Sequence, residues 1–206
     1  MTVLNVAEIC PATRALGPGQ RFVIWVQGCC FNCRGCISPD WIPQTQATLV
    51  DPLQLADCIL SVPRTEGVTI SGGEPMLQAA ALSELFSYLR QKRDLSIICF
   101  SGFTLKQLQA KADPTINKVL TLIDVLIDGQ YIPELNDNQG WRGSSNQVFH
   151  FLTPRHLSEA DLFTERKRDV EIHMRDDSVL MVGVPPHNFS TDFEGAVDIA
   201  SKFTEA

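Results

Sequence analysis

The apolar positions of this chain fall into short strand-like runs separated by longer stripes of helical period. Phe22 to Val26 is an unbroken apolar run, so Arg21 to Gln27 is predicted to be a strand buried on both faces. Gly67 to Ile70, Leu95 to Phe100 and Asp124 to Ile127 are predicted strands of the same kind. Each runs into a polar or glycine step: Gly28, Ser71-Gly72-Gly73, Ser101-Gly102 and Asp128-Gly129. Between them, Asp51 and Pro52 are an N-cap and first-turn proline for a helix to Ser61. Leu77, Ala81, Leu85 and Leu89 repeat every fourth residue, with Leu82 and Phe86 alongside, which predicts an amphipathic helix. Helical stretches are also expected near Thr104 to Lys111 and Thr115 to Leu122. Strands alternating with helices of this length imply βαβ units and a parallel sheet, hence an α/β fold.

From Pro154 onward the pattern changes. Ser158 to Lys167 is polar with helical character. Val170 to Met174 and Val179 to Val184 flank Arg175, Asp176, Asp177 and Ser178, which predicts a β-hairpin ended by Pro185 and Pro186. Thr191 to Ala206 is expected to form one short helix or to fray. The chain therefore divides into a core over 1–153 and a C-terminal extension over 154–206. Covering a sheet edge is the expected role of the hairpin.

Composition narrows the class. The 206 residues suffice for a core without disulfide staples, and a formal charge of −7 argues against a nucleic-acid partner. No run approaches the roughly 18 apolar residues of a membrane span. Met1 to Cys10 carries Glu8 and no basic cluster, unlike a secretory signal. A cytoplasmic setting with reduced thiols is expected.

Seven cysteines cannot all pair within one chain, and four of them, Cys29, Cys30, Cys33 and Cys36, fall within eight residues. Cys10, Cys58 and Cys99 stand among apolar neighbours and are expected to be inert core. Cys29, Cys33 and Cys36 give C-x3-C-x2-C on a loop after a strand. Three thiolates hold three corners of a [4Fe–4S] cube and leave one iron open. A structural zinc site would want four closed ligands, with Cys30 as the fourth, but Cys30 adjoins Cys29 and points elsewhere on an extended loop. A site without metal is the remaining reading. Ser71, Gly72, Gly73, Glu74 and Pro75 follow another strand at the edge where α/β folds bind ligands. There a backbone carbonyl or Glu74 would accept hydrogen bonds from an ammonium group. Glu74 also reads as an acid at a helix N-terminus.

Taken together, the C-x3-C-x2-C loop and the Gly-Gly-Glu turn resemble the radical S-adenosylmethionine (SAM) superfamily. Gly17-Pro18-Gly19, Gln27-Gly28-Cys29 and Arg34-Gly35-Cys36 resemble its glycyl-radical-enzyme activases. Asp124 to Gly129 (DVLIDG), Tyr131 and Trp141 to Gln147 (WRGSSNQ) are similar to the activating proteins of anaerobic ribonucleotide reductases. The resemblance runs from about Asn5 to about Thr153. It departs from many superfamily members at Gly35, where an aromatic residue precedes the last cysteine and touches adenine, so another residue must cover the adenine here. Cys30 is an extra thiol, read as a bystander.

The resemblance implies an open, incomplete parallel βα barrel carrying the C-terminal hairpin. It implies a [4Fe–4S] cluster on Cys29, Cys33 and Cys36 whose open iron chelates SAM. Reductive cleavage of SAM would give a 5′-deoxyadenosyl radical, which would take hydrogen from a glycine Cα of a partner, an anaerobic ribonucleotide reductase. An electron donor such as flavodoxin or ferredoxin is also implied. Gly72, Gly73 and Glu74 would hold the methionine amino group, and Ser71 and Pro75 would shape that turn. Ser101 and Gly102 would line the pocket, and Asp128 would meet ribose or methionine unless it is only a strand-end turn carboxylate. Arg142 and Asn146 would hold the cofactor carboxylate or order the loop, unless WRGSSNQ is only a tight polar turn. Two alternatives remain: a radical SAM enzyme acting on another peptide or small molecule, and a non-enzymatic iron–sulfur or zinc module.

Overall fold

The computed structural model describes residues 2–187 together with Phe189, Thr191, Phe193 and Gly195. The terminal helix expected over Thr191 to Ala206 falls almost wholly outside the described residues. In chain order the elements are β1 (Leu4–Thr13), β2 (Arg21–Val26), β3 (Thr48–Val50), α1 (Pro52–Ser61), β4 (Gly67–Gly72), α2 (Ala79–Lys92) and β5 (Ser96–Ser101). They continue with α3 (Leu105–Ala110), α4 (Pro114–Leu122), β6 (Val125–Asp128), β7 (Val148–Phe151), α5 (Ala160–Glu165), β8 (Val170–Met174) and β9 (Val179–Gly183).

Seven strands form one open sheet in the order β3-β1-β2-β4-β5-β6-β7. The central four, β2, β4, β5 and β6, are parallel, as expected from the βαβ pattern. Antiparallel strands flank them: β1 on β2, β3 on β1, and β7 on β6. These three were not legible as strands. Pro11 interrupts β1 at a register shift between Cys10 and Thr13, and β3 and β7 have only 3 and 4 residues.

Helix starts follow their caps. The Asp51 carboxylate accepts from Leu53 N–H (2.8 Å) and Gln54 N–H (3.0 Å) ahead of Pro52. Asp113 does the same for α4, and Thr104 with Gln107 forms a capping box for α3. The α2 stripe begins later than expected. Pro75–Gln78 is a 3-10 turn, which leaves Leu77 exposed while Leu82, Leu85, Phe86 and Leu89 are buried.

A strand apolar on both sides needs cover on both faces. On one face Phe22, Ile24 and Val26 pack with Leu55, Leu82, Phe86 and other helix residues. On the other, Val23 and Trp25 meet Cys10 and Val182, while Ile98, Val125 and Ile127 meet Trp141 and Phe163. Val182 and Phe163 belong to the C-terminal extension. The expected hairpin is present, but β8 and β9 form a separate two-stranded sheet that lies on this second face instead of covering an edge. Cys10 and Cys99 are buried as expected, whereas Cys58 is exposed on α1. Among the described residues no helix is long and apolar enough to cross a membrane.

At the N-terminal ends of the parallel strands, Asp124 accepts from Ile97 N–H (2.8 Å), Arg90 Nη2 (2.8 Å) and Thr153 Oγ1 (2.7 Å). Burial raises its carboxyl pKa, but these bonds outweigh burial and hold it below the ordinary 3.8. A depressed carboxyl contributes stability that is present above its unfolded pKa and lost as pH falls through the folded one. We predict that Asp124→Asn lowers unfolding free energy by about 2 kcal/mol at neutral pH. The variant should also lose less stability than the parent on acidification below about pH 4, both read by urea unfolding.

Candidate functional site

Register sets the site. Val26 pairs with Gly72, Ile70 with Cys99 and Ser101 with Asp128, so the C-terminal ends of β2, β4, β5 and β6 share one edge. The segments that leave this edge are the cysteine loop, the Gly-Gly-Glu turn, Gly102 and Gly129. Such an edge is where open α/β sheets bind ligands.

The cysteine loop is pinned at its base. Gly28 N–H donates to Trp41 C=O and Cys29 N–H to Ile42 C=O, both at 2.9 Å. Gln27 Nε2 donates to Pro43 C=O at 2.7 Å, and Trp41 packs on Trp25 with ring centroids 5.6 Å apart. Inside the loop, Cys36 N–H donates to Cys33 C=O at 3.2 Å, which draws those two cysteines into one turn. Cys29, Cys33 and Cys36 are partly exposed and Cys30 is exposed. Among the described residues no three His, Cys, Asp or Glu side chains stand close enough to hold one metal ion. An iron–sulfur cube takes its thiolates on separate irons, unlike the four closed ligands of a single structural zinc.

The glycines of the turn are required by backbone contact. Gly73 N–H donates to Val26 C=O and Glu74 N–H to Gly28 C=O, both at 2.8 Å. A Cβ on Gly73 would overlap the Gly28 carbonyl, and Gly72, at φ +103°, lies against the Val26 backbone. Glu74 is fully buried. Its carboxylate accepts from Met76 N–H (2.9 Å), Ser101 Oγ (2.8 Å) and Gly102 N–H (2.7 Å). The side chain therefore ties the β4 turn to the β5 turn and caps Pro75–Gln78, which matches the reading of Glu74 as an acid at a helical start. Burial raises its carboxyl above the ordinary range, while those three bonds oppose the shift.

Phe31, Phe103 and Lys111 carry no motif and are found only through contacts. A Cβ on Gly102 would stand 2.5 Å from the Phe31 ring, so Gly102 leaves room for the cysteine loop. Phe31 packs edge-on to Phe103 (4.7 Å), and the Lys111 ammonium lies 4.3 Å over the Phe103 ring. Phe103, Gln107, Ala110 and Lys111 line a shallow pocket of about 340 Å³ there. Burial pushes the Cys29 thiol up to about 11, against a lowering bond from Phe31 N–H, and the nearby Glu74 charge adds to the rise. Burial also raises Cys33. These thiols stay protonated near neutrality unless a metal displaces the proton.

Asp128 is 3% exposed and accepts from Leu105 N–H and from His150 Nε2, the latter at 2.8 Å. It thereby joins β6 to α3 and β7. Arg142 pairs with Asp137 (2.7 Å) and donates to Gln147 C=O (3.2 Å), so its guanidinium orders the loop. Asn146 Nδ2 donates to Gln130 C=O (2.8 Å), beside Gly129, while Asn146 Oδ1 is buried without a partner. Gln147 Nε2 donates to Gly129 C=O (2.7 Å), closing WRGSSNQ onto the end of β6. Tyr131 meets the cysteine loop: its ring lies 3.5 Å from the Cβ position of Gly35, and Arg34 pairs with Glu134. The structure thus brings the cysteines, the Gly-Gly-Glu turn, Ser101, Gly102, Asp128 and Asn146 to one edge, with Arg142 further out on the loop. A larger open groove, about 570 Å³, lies at the opposite strand ends, and its Arg90 and Arg155 are already paired with Asp94 and Asp124.

Comparison with known proteins agrees with this geometry. The family described as "4Fe-4S single cluster domain" matches residues 15–150. The anaerobic ribonucleoside-triphosphate reductase-activating protein of Vibrio cholerae is 31% identical over 159 residues, which cover 73% of this chain and 99% of the relative. The protein of that name from Haemophilus influenzae is 32% identical over 155 residues, covering 71% and 97%. The Escherichia coli K12 protein is 28% identical over 158 residues, covering 72% and 99%.

The packing of the turn makes a direct prediction. Gly73→Ala should cost at least about 2 kcal/mol in thermal or urea unfolding, because the backbone of Gly28 must move. Gly195→Ala, where no atom of the described residues lies within 4 Å, should stay within about 0.5 kcal/mol of the parent.

Proposed function

This chain belongs to the radical SAM family of single-cluster [4Fe–4S] activases, and from that membership we propose that it installs a glycyl radical on an anaerobic ribonucleotide reductase. The observation that carries the reading is the convergence of three loop thiols and the Gly-Gly-Glu turn on one edge of the parallel strands. The donor set fits the cluster, since soft thiolates on a partly exposed loop are iron–sulfur ligands.

A [4Fe–4S] cluster held there would supply the single electron that cleaves the sulfonium C–S bond of SAM, releasing methionine and a 5′-deoxyadenosyl radical able to take a hydrogen atom from a glycine Cα of the partner. The protein's part is to hold, orient and exclude. Cys29, Cys33 and Cys36 are the residues that would hold the cluster, three thiolates for four irons. Backbone carbonyls of Gly72 and Gly73 would accept from the cofactor's ammonium group, with Ser71 and Pro75 shaping the turn. Glu74 acts from behind, through its bonds to Ser101 and Gly102. Asp128 fixes the floor of the pocket through His150 and α3. Asn146 is fastened at the same edge through Gln130, and Arg142 orders the loop that carries it. Tyr131, against Gly35, supplies the aromatic surface that the last cysteine's neighbour lacks. A low-potential one-electron donor such as flavodoxin or ferredoxin would supply the electron.

Anaerobic reconstitution of the full chain should give about four irons per chain. With a reductant and SAM it should release 5′-deoxyadenosine, and with the reductase present a glycyl radical should appear by electron paramagnetic resonance. Cys33→Ala should abolish release, while Cys30→Ala should retain it. Iron loss in Cys30→Ala would overturn the ligand assignment. A chain that binds only zinc and never cleaves SAM would overturn the function.

A further inference from the structure

The extension beyond the matched residues 15–150 is built into the site's outer loop. Phe163 of α5 is fully buried against Trp141, Phe149 and Phe151, with ring centroids 5.0, 5.8 and 5.2 Å away. Trp141 N–H donates to Phe163 C=O (3.0 Å) and Gly140 N–H to Arg166 C=O (2.9 Å). A Cβ on Gly140 would overlap the Phe163 carbonyl, so the loop has room for the extension only with glycine there. From this contact the extension crosses the second face to the opposite side of the sheet. There Glu171 accepts from Arg14 N–H (2.7 Å) and Arg175 pairs with Glu8 (2.8 Å).

Arg168 sits between these two anchorages, with its side chain 1% exposed. It donates to Asn136 Oδ1 (2.8 Å), Gly143 C=O (3.1 Å) and Arg142 C=O, and lies 3.7 Å from an Asp137 carboxylate oxygen. Three residues beyond Gly143 comes Asn146, fastened to Gln130 at the end of β6. One buried guanidinium thus gathers the loop carbonyls that lead directly into the turn bearing Asn146. A planar, always-charged fork suits this task, since it satisfies several acceptors in a fixed geometry.

We propose that Arg168 is a positioning residue of the site: it holds the 136–143 arm so that the WRGSSNQ turn seats the cofactor, which makes the extension part of the site. The proposal rests on the function proposed above for the choice of cofactor. It goes beyond the matched family region because Arg168 lies outside it.

The test uses the full iron-loaded chain with Arg168→Met and Arg168→Lys. Arg168→Met should keep the parent's iron content. Amide hydrogen exchange over residues 139–147 should become at least about tenfold faster, with the cysteine loop unchanged. The KM for SAM in 5′-deoxyadenosine release should rise about tenfold with kcat little altered, and Arg168→Lys should recover part of the loss. Unchanged exchange over 139–147 would overturn the proposal, as would faster exchange with a parental KM. Exchange is read on the chain alone, so it judges Arg168 even if the parent releases no 5′-deoxyadenosine, a result that would instead overturn the proposed function.

Discussion

The site depends on one sealed carboxylate. Glu74 is fully buried, and its two oxygens accept three hydrogen bonds from two successive strand ends. A buried acid left without partners would cost several kcal/mol, so the turns after β4 and β5 are held where the bonds require them. That placement fixes the rest. Gly73 must lie against Gly28, Gly102 must leave space for Phe31, and the cysteine loop is set over the strand ends from both sides. The carboxylate that the motif offers as an acceptor for an ammonium group also fastens the β4 turn to the end of β5.

A second constraint comes from the apolar strands. β2 is buried at every position, and helices can cover only one of its faces. The extension covers the other through Leu180 and Val182, and covers the same face of β5 and β6 through Phe163. This explains why the C-terminal segment lies on the sheet when a two-stranded hairpin by itself is marginal in water. It also explains how the loop between β6 and β7 is held: it is clamped from below by Gln147 and Asn146 and from outside by Phe163 and Arg168.

Much of this was legible in the residues. Apolar runs located β2, β4, β5 and β6, and local chemistry located the helix starts, because Asp51-Pro52 acts through neighbours in sequence. The cysteine spacing and the glycine turn pointed to one strand edge, which the parallel register then brought together. Edge strands were illegible because β3 is short and largely exposed and β7 is short and half buried, so no alternation develops. Leu77 fits a helical stripe yet is exposed, since Pro75 sets a tighter turn first. The inward aim of Glu74, the seat of Phe31 and the reach of Arg168 depend on contacts 25 or more residues apart, which no local pattern records.

The central claim is that this edge directs a carbon radical at a glycine of a protein partner. The most direct measurement uses an anaerobic ribonucleotide reductase carrying glycine deuterated at Cα, mixed with the reduced, iron-loaded chain and SAM. Mass spectrometry of the released 5′-deoxyadenosine should find deuterium in proportion to the glycyl radical formed. Cofactor cleavage with a glycyl radical but no deuterium in the nucleoside would contradict the account.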